Sequence, residues 1–333
     1  MSGPVIFDRH LLRARRRRAA ALVPADFLLA RVADDLAERL SSVLRHFDFA
    51  ADLGTPGEHL RQALAASDKV RVLIAVDALF SLPLLQGRVG GGASLGPDLP
   101  SNPLPVRSAH RPPPQAGDVK NELAVAADEE ALPFREGSLD LVVSALALHL
   151  VNDLPGTLIQ VRHALKPDGL FLAALLGGET LTELRQAFAE AETEMEGGVS
   201  PRVAPFPDLR DLGALLQRAG FALPVADTER LTVRYASVFS LMHELRRMGA
   251  TNALIERRRV PLRRATLMRM AEIYARRFAD PDGRLPATFE IVWLSGWAPD
   301  PSQQKPLQPG SAKMRLAEAL GTREIPAGEK AGR

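Results

Sequence analysis

The chain has 333 residues, 46% of them apolar, with a formal net charge of +2; it is long enough to bury a full core and too nearly neutral to seek nucleic acid as a whole. The lack of cysteine excludes disulfides, thiolate nucleophiles, cysteine-ligated zinc and iron–sulfur clusters. No apolar run reaches the roughly 20 residues that span a bilayer, so a soluble protein without a transmembrane segment is expected.

The elements follow in chain order. "LLRARRRRAA" groups Arg13, Arg15, Arg16, Arg17 and Arg18; without interleaved aromatic residues this reads as a helix that is solvated or docks a partner, rather than a nucleic-acid patch. Leu28, Val32, Leu36, Leu40 and Leu44 recur at helical spacing, which predicts an amphipathic helix from Asp26 to Leu44 and makes 1–48 an N-terminal pair of helices. "FDFAADLG" reads as a strand, "GEHLRQALAAS" as a helix and "VRVLIAVD" as a second strand closing on Asp77. From 86 to 118 the Gly- and Pro-rich text predicts a long loop or disordered insertion. Beyond it come strands at "NELAVAAD" and "LDLVVSALAL", a helix at "DLPGTLIQVRHAL", a turn at "KPDG" and a strand at "LFLAALLG".

That alternation over 49–178 predicts a Rossmann-like α/β core: a mostly parallel sheet with helices on both faces and a ligand crevice at the strand carboxyl ends. Over 179–300 the pattern turns mainly helical, with late strands at "RLTVRYA" and "TFEIVWLSGW", which predicts a helical insert before the strands that complete the sheet. The stretch 301–333 reads as a Pro-rich tail with a short terminal helix.

Four strand ends carry the residues of a nucleoside pocket. Asp52 and Gly54 close the first strand, with Gly57 three residues on, where the backbone must turn sharply and approach a ligand. Asp77 closes the second, where an acid binds ribose hydroxyls; Asp128 and Glu129 follow the third, beside an adenine amino group. His149 and Asp153 follow the fourth, as candidate base and orienter. Each has an ordinary alternative: a turn glycine, a helix cap, a solvated acid pair, a core histidine. Their order and spacing together carry the pocket. The histidines show no H-x-D or H-x-E pair, and no metal site is expected.

The stretch from "ADEEALPFREGSLDLVVSALALHLVND" to "MEGGVSPRVAPF", with the opening "FDR", "DLGALLQRAGF", "PATFEIVWLSGW" and "PGSA", resembles the methyltransferase-fold assembly factors of respiratory complex I. The resemblance implies a class I S-adenosylmethionine (SAM)-dependent methyltransferase fold. It also implies SAM as cofactor and a role in complex I assembly by hydroxylating an arginine of an iron–sulfur subunit. A more distant likeness is to the O-methyltransferase that acts on malonyl-acyl carrier protein in biotin synthesis. A catalytically inactive scaffold or chaperone is the third alternative. The implied location is the bacterial cytoplasm, or the mitochondrial matrix in a eukaryote, with transient contact to a membrane-peripheral arm. The match of "FDRHLLR" to the family's body argues against a removable targeting peptide.

The chain departs from the family's D-x-G-x-G-x-G in one place. It reads Asp52-Leu53-Gly54-Thr55-Pro56-Gly57-Glu58, so proline and glutamate replace two glycines. Proline offers no amide hydrogen, and Glu58 adds a charge where close packing is wanted. Weakened SAM binding is the expected consequence.

Overall fold

A computed structural model describes residues 5–79, 121–304, 318 and 320–323. The predicted insertion at 86–118 and most of the predicted tail lie outside the described residues. The chain divides into Met1–Pro299 and Asp300–Arg333. In the second unit, the Asp300 carboxylate accepts from the Ser302 backbone N–H at 2.8 Å and closes a short turn.

The first unit is built on a seven-stranded sheet: β1 (Phe47–Leu53), β2 (Val70–Val76), β3 (Asn121–Val125), β4 (Leu139–Ala145), β5 (Leu165–Leu176), β6 (Ala222–Tyr235) and β7 (Leu285–Trp297), in the order β3-β2-β1-β4-β5-β7-β6. The first five run parallel, and β7 is antiparallel to both β5 and β6. Strands buried on both faces read as continuous apolar runs, and "LDLVVSA" in β4 is one of them.

The helices are α1 (Arg9–Ala20), α2 (Phe27–Ser41), α3 (His59–Ala66), α4 (Leu154–Ala164), α5 (Thr182–Glu196), α6 (Leu209–Arg218), α7 (Val238–Arg247) and α8 (Arg264–Phe278). Two cores sandwich the sheet. One joins it to α2, α3, α5, α7 and α8 through Leu36, Leu60, Ala187, Leu241 and Ile273, and the other joins it to α4 and α6 through Leu158, Val161, Leu212 and Leu216. In α2, Leu28, Val32, Leu36 and Leu40 are buried on one stripe, each contributing about 1.5–3 kcal/mol. No helix among the described residues is long and apolar enough to cross a membrane.

Two differences from the sequence pattern have local causes. "KPDG" is not a turn outside the sheet but a bulge within β5: the register with β4 shifts between Leu139 and Leu141, and Asp168 adopts a φ of 60°. The helical segments do not all precede the last two strands. α5 and α6 come before β6, whereas α7 and α8 lie between β6 and β7. Strand β6 also begins earlier than "RLTVRYA", because a register shift between Ala222 and Val225, with Leu223 at a φ of 48°, lets Pro224 sit in an edge strand.

The amino-terminal helix is tied to a distant loop. Phe7 bridges Leu254, Asp8 N–H donates to Ala253 O at 2.8 Å and Ile255 N–H to Ile6 O at 2.9 Å. The Asp8 side chain accepts from Leu11 N–H and caps α1.

Candidate active site

The loop after β1 is held from two sides. Gly54, at a φ of 66°, donates to Val76 O at 2.7 Å, and a Cβ there would collide with the Glu129 carboxylate. Thr55 Oγ1 accepts from Ala145 N–H at 2.9 Å, while Ser144 Oγ–H donates to Leu53 O at 2.7 Å. Gly57 also has positive φ, 73°.

Asp52 lies beneath this loop, buried, with Oδ1 lacking a hydrogen-bond partner. Burial pushes its carboxyl up to about 7, against the Thr55 hydrogen bond and the nearby Arg61 cation. Glu58, in place of the family's glycine, pairs with Arg61 at 2.5 Å, and Arg61 reaches Glu122 at 3.1 Å. The added charge is therefore partnered.

A cavity of about 1130 Å³ opens beyond the strand carboxyl ends, a little larger than the roughly 300–1,000 Å³ of a typical ligand pocket. Of the residues singled out from sequence, Gly57, Asp77 and His149 stand on its wall, together with Pro56 and Glu58. Asp77 accepts from Leu79 N–H at 2.8 Å. Burial raises its carboxyl above the ordinary range, opposed by that N–H and by Arg16.

His149 is 7% exposed, its ring edge-on to Phe206 at 5.5 Å. Burial, reinforced by Arg16, lowers its acid to about 3. Leu176 N–H donates to Nδ1 at 3.4 Å, so the neutral ring carries its proton on Nε2 and is a donor and only a weak base.

The other five are placed differently. Asp52 and Gly54 lie behind the wall. Asp128 and Glu129 are engaged by α1: Arg9 Nη2–H donates to Asp128 at 2.8 Å and to Glu129, Arg9 Nη1–H to Leu150 O at 3.1 Å, and Arg13 pairs with Asp128. Burial raises the Asp128 carboxyl, but the Glu130 backbone N–H with Arg9 and Arg13 outweighs it and holds the group below its ordinary range. Asp153, not on the wall, caps α4 by accepting from Gly156 N–H at 2.8 Å.

The sequence alone assigned no site role to Arg9, Arg16 or Arg61, and Arg16 read only as part of a solvated or partner-docking basic helix. Arg9, Arg13 and Arg16 share one helical face by their i, i+4, i+7 spacing, and this face turns inward onto the acids at 128–130 instead of facing solvent.

The strand order with its single reversed strand, β7, and a glycine turn and an acid at the ends of the first two strands, define the class I methyltransferase fold. The family model described as "Methyltransferase domain" matches residues 83–173. The chain belongs to the arginine-hydroxylase NDUFAF5 family: it is 36% identical over 319 residues to "Arginine-hydroxylase NDUFAF5, mitochondrial" of Danio rerio, covering 95% of this chain and 90% of that one. It is also 41% identical over 182 residues to the malonyl-[acyl-carrier protein] O-methyltransferase of Gallionella capsiferriformans, covering 54% of this chain and 59% of that one. Among solved structures, phosphoethanolamine N-methyltransferase 2 of Haemonchus contortus in complex with S-adenosyl-L-methionine is similar at 14% identity and a TM-score of 0.43, covering 80% of this chain and 52% of that one.

Proposed function

We propose that this chain binds SAM and acts in respiratory complex I assembly by hydroxylating an arginine of an iron–sulfur subunit. The observation that carries this is the 36% identity to an arginine-hydroxylase over nearly the whole of both chains. We further propose that in a bacterium it works in the cytoplasm, against the membrane-peripheral arm of the complex.

The wall residues fit a nucleoside cofactor. Asp77 offers a half-buried carboxylate to ribose hydroxyls, and the Gly57 turn keeps side chains out of the space, with Leu29 the nearest neighbour at 3.6 Å from where a Cβ would stand. When bound, SAM would supply a sulfonium and its transferable methyl group; the oxygen atom and the oxidation that hydroxylation requires would come from dioxygen with an external reductant. Asp128 and Glu129 reach an adenine only if Arg9 and Arg13 share them. His149 donates a hydrogen bond from Nε2 toward whatever occupies the cavity.

A second reading, methyl transfer to a carboxylate, is favoured by the weak basicity of His149, because a carboxylate acceptor has no proton to lose. Calorimetric titration tests the common element: absence of heat at millimolar SAM sinks both cofactor-dependent readings and leaves the scaffold. Mass spectrometry then separates the chemistries. A gain of one oxygen on an arginine of the client subunit supports hydroxylation; a gain of one methylene on malonyl carrier protein replaces it with the second reading.

A further inference from the structure

The described residues of the cavity include a guanidinium that its surroundings leave underused. Arg16 stands on the wall with its side chain 12% exposed, and the nearest carboxylate oxygen among the described residues, Glu129 Oε1, is 3.9 Å away, outside hydrogen-bond range. Of its neighbours on α1, Arg9 and Arg13 hold Asp128, and Arg15 donates to Asn252 O. Burying a guanidinium without hydrogen bonds is costly, and an anion in the adjoining space removes that cost.

The second donor is His149. Its Nδ1 is occupied by the Leu176 N–H, which leaves Nε2–H without a hydrogen-bond partner among the described residues, and its ring shares the cavity wall with Arg16. A cation and a neutral N–H on one wall, framed by Leu146, Leu176 and Phe206, make a low-dielectric setting in which a carboxylate is bound more strongly than in water. Asp77, on the same wall as Arg16, takes no part in holding the anion, since like charges repel; it offers its oxygens to hydroxyl groups instead.

We propose that Arg16 and His149 form a carboxylate-binding subsite in this cavity. The proposal rests on the SAM reading for one of its two ligand sources, the amino-acid end of SAM; the other source is the free acid of an acyl substrate. Arg16 supplies the charge and His149 Nε2–H fixes the orientation.

The test compares ligands that differ only in the carboxylate. In calorimetry, SAM is expected to bind the wild-type chain about tenfold to a hundredfold more tightly than decarboxylated SAM, the worth of a charge-assisted hydrogen bond. R16Q and H149F, each checked for native thermal unfolding, should shrink that ratio toward one, and R16K should restore part of it. Should either variant fail to fold, the wild-type ratio and the other variant still decide. Equal binding of the two nucleosides by the wild-type chain, or a ratio untouched in R16Q, overturns the cofactor source. If neither nucleoside binds, the SAM reading fails on its own account, and malonyl-pantetheine is titrated against acetyl-pantetheine. A preference for the malonyl compound that R16Q abolishes upholds the subsite, and no preference overturns it.

Discussion

Arg61 and Glu58 form an ion pair across one turn of α3, Nη2 to Oε1 at 2.5 Å, and the same guanidinium stands 3.5 Å from Asp52 Oδ2. The two ends of that arrangement differ in burial: the Glu58 side chain is 64% exposed and that of Asp52 only 1%. The residue that departs from the family's glycine motif is thus the dispensable partner. E58G should cost less than about 1 kcal/mol in chemical denaturation. R61M should cost on the order of 3 kcal/mol near pH 8, where it strands the charged Asp52, and distinctly less near pH 5. Equal losses for the two variants would contradict this assignment.

Asp52 predicts a pH dependence of its own. Its carboxyl sits at about 7 in the fold against 3.8 for a free side chain, so the folded state binds the proton more tightly. Its contribution to stability is full below about pH 4 and is lost as pH rises to about 7. D52N removes the titration. Relative to wild type, it should gain on the order of 4 kcal/mol at most between about pH 4 and pH 8, read from denaturation midpoints at each pH.

His149 acts in the opposite sense. Its acid falls from 6.5 to about 3 on folding, so the stability it confers is present above about pH 6.5 and is lost as pH falls toward 3. H149F should flatten this part of the acid limb, and the wild-type minus variant difference should change by on the order of 4 kcal/mol at most across the window. A parallel pair of curves would show that the ring is not buried in its neutral form.

Gly54 is constrained twice, by a φ of 66° and by the carboxylate of Glu129 where a Cβ would stand. G54A should cost about 2 kcal/mol or more. In G54A/E129A the steric part is relieved while the backbone part remains, so the double variant should lose less than the sum of the two single ones. Strict additivity in thermal melts would rule out the contact.

The strand ends were readable because glycine after a strand and an acid after a strand are local signals; Gly54 and Asp77 announce themselves within a few residues. The bulge at "KPDG" was not, since a Pro-Asp-Gly run forms a free turn or a kinked strand according to its neighbours, here Asp168 N–H to Ala298 O at 3.1 Å and Ala298 N–H to Gly169 O at 2.8 Å. Arg9 could not be paired from sequence. Its partner Asp128 lies 119 positions on, and a guanidinium reads as solvated until the fold brings a carboxylate to it. Arg61 was hidden in the same way by Asp52 and Glu122. Likewise Asp153 announced an acid at a strand end, but the Leu-Pro-Gly that follows makes it the cap of α4.

The walls of the cavity come from residues as far apart as Phe7 and Phe289, and α1 is pinned in place by the loop around Ala253. A chain emerging from the ribosome therefore has no pocket until nearly all of the first unit has been synthesised. A ligand captured at that moment binds only the finished ring and favours it by mass action. Its supply in the cell would then set how much of the protein matures, quite apart from how fast the mature protein turns over.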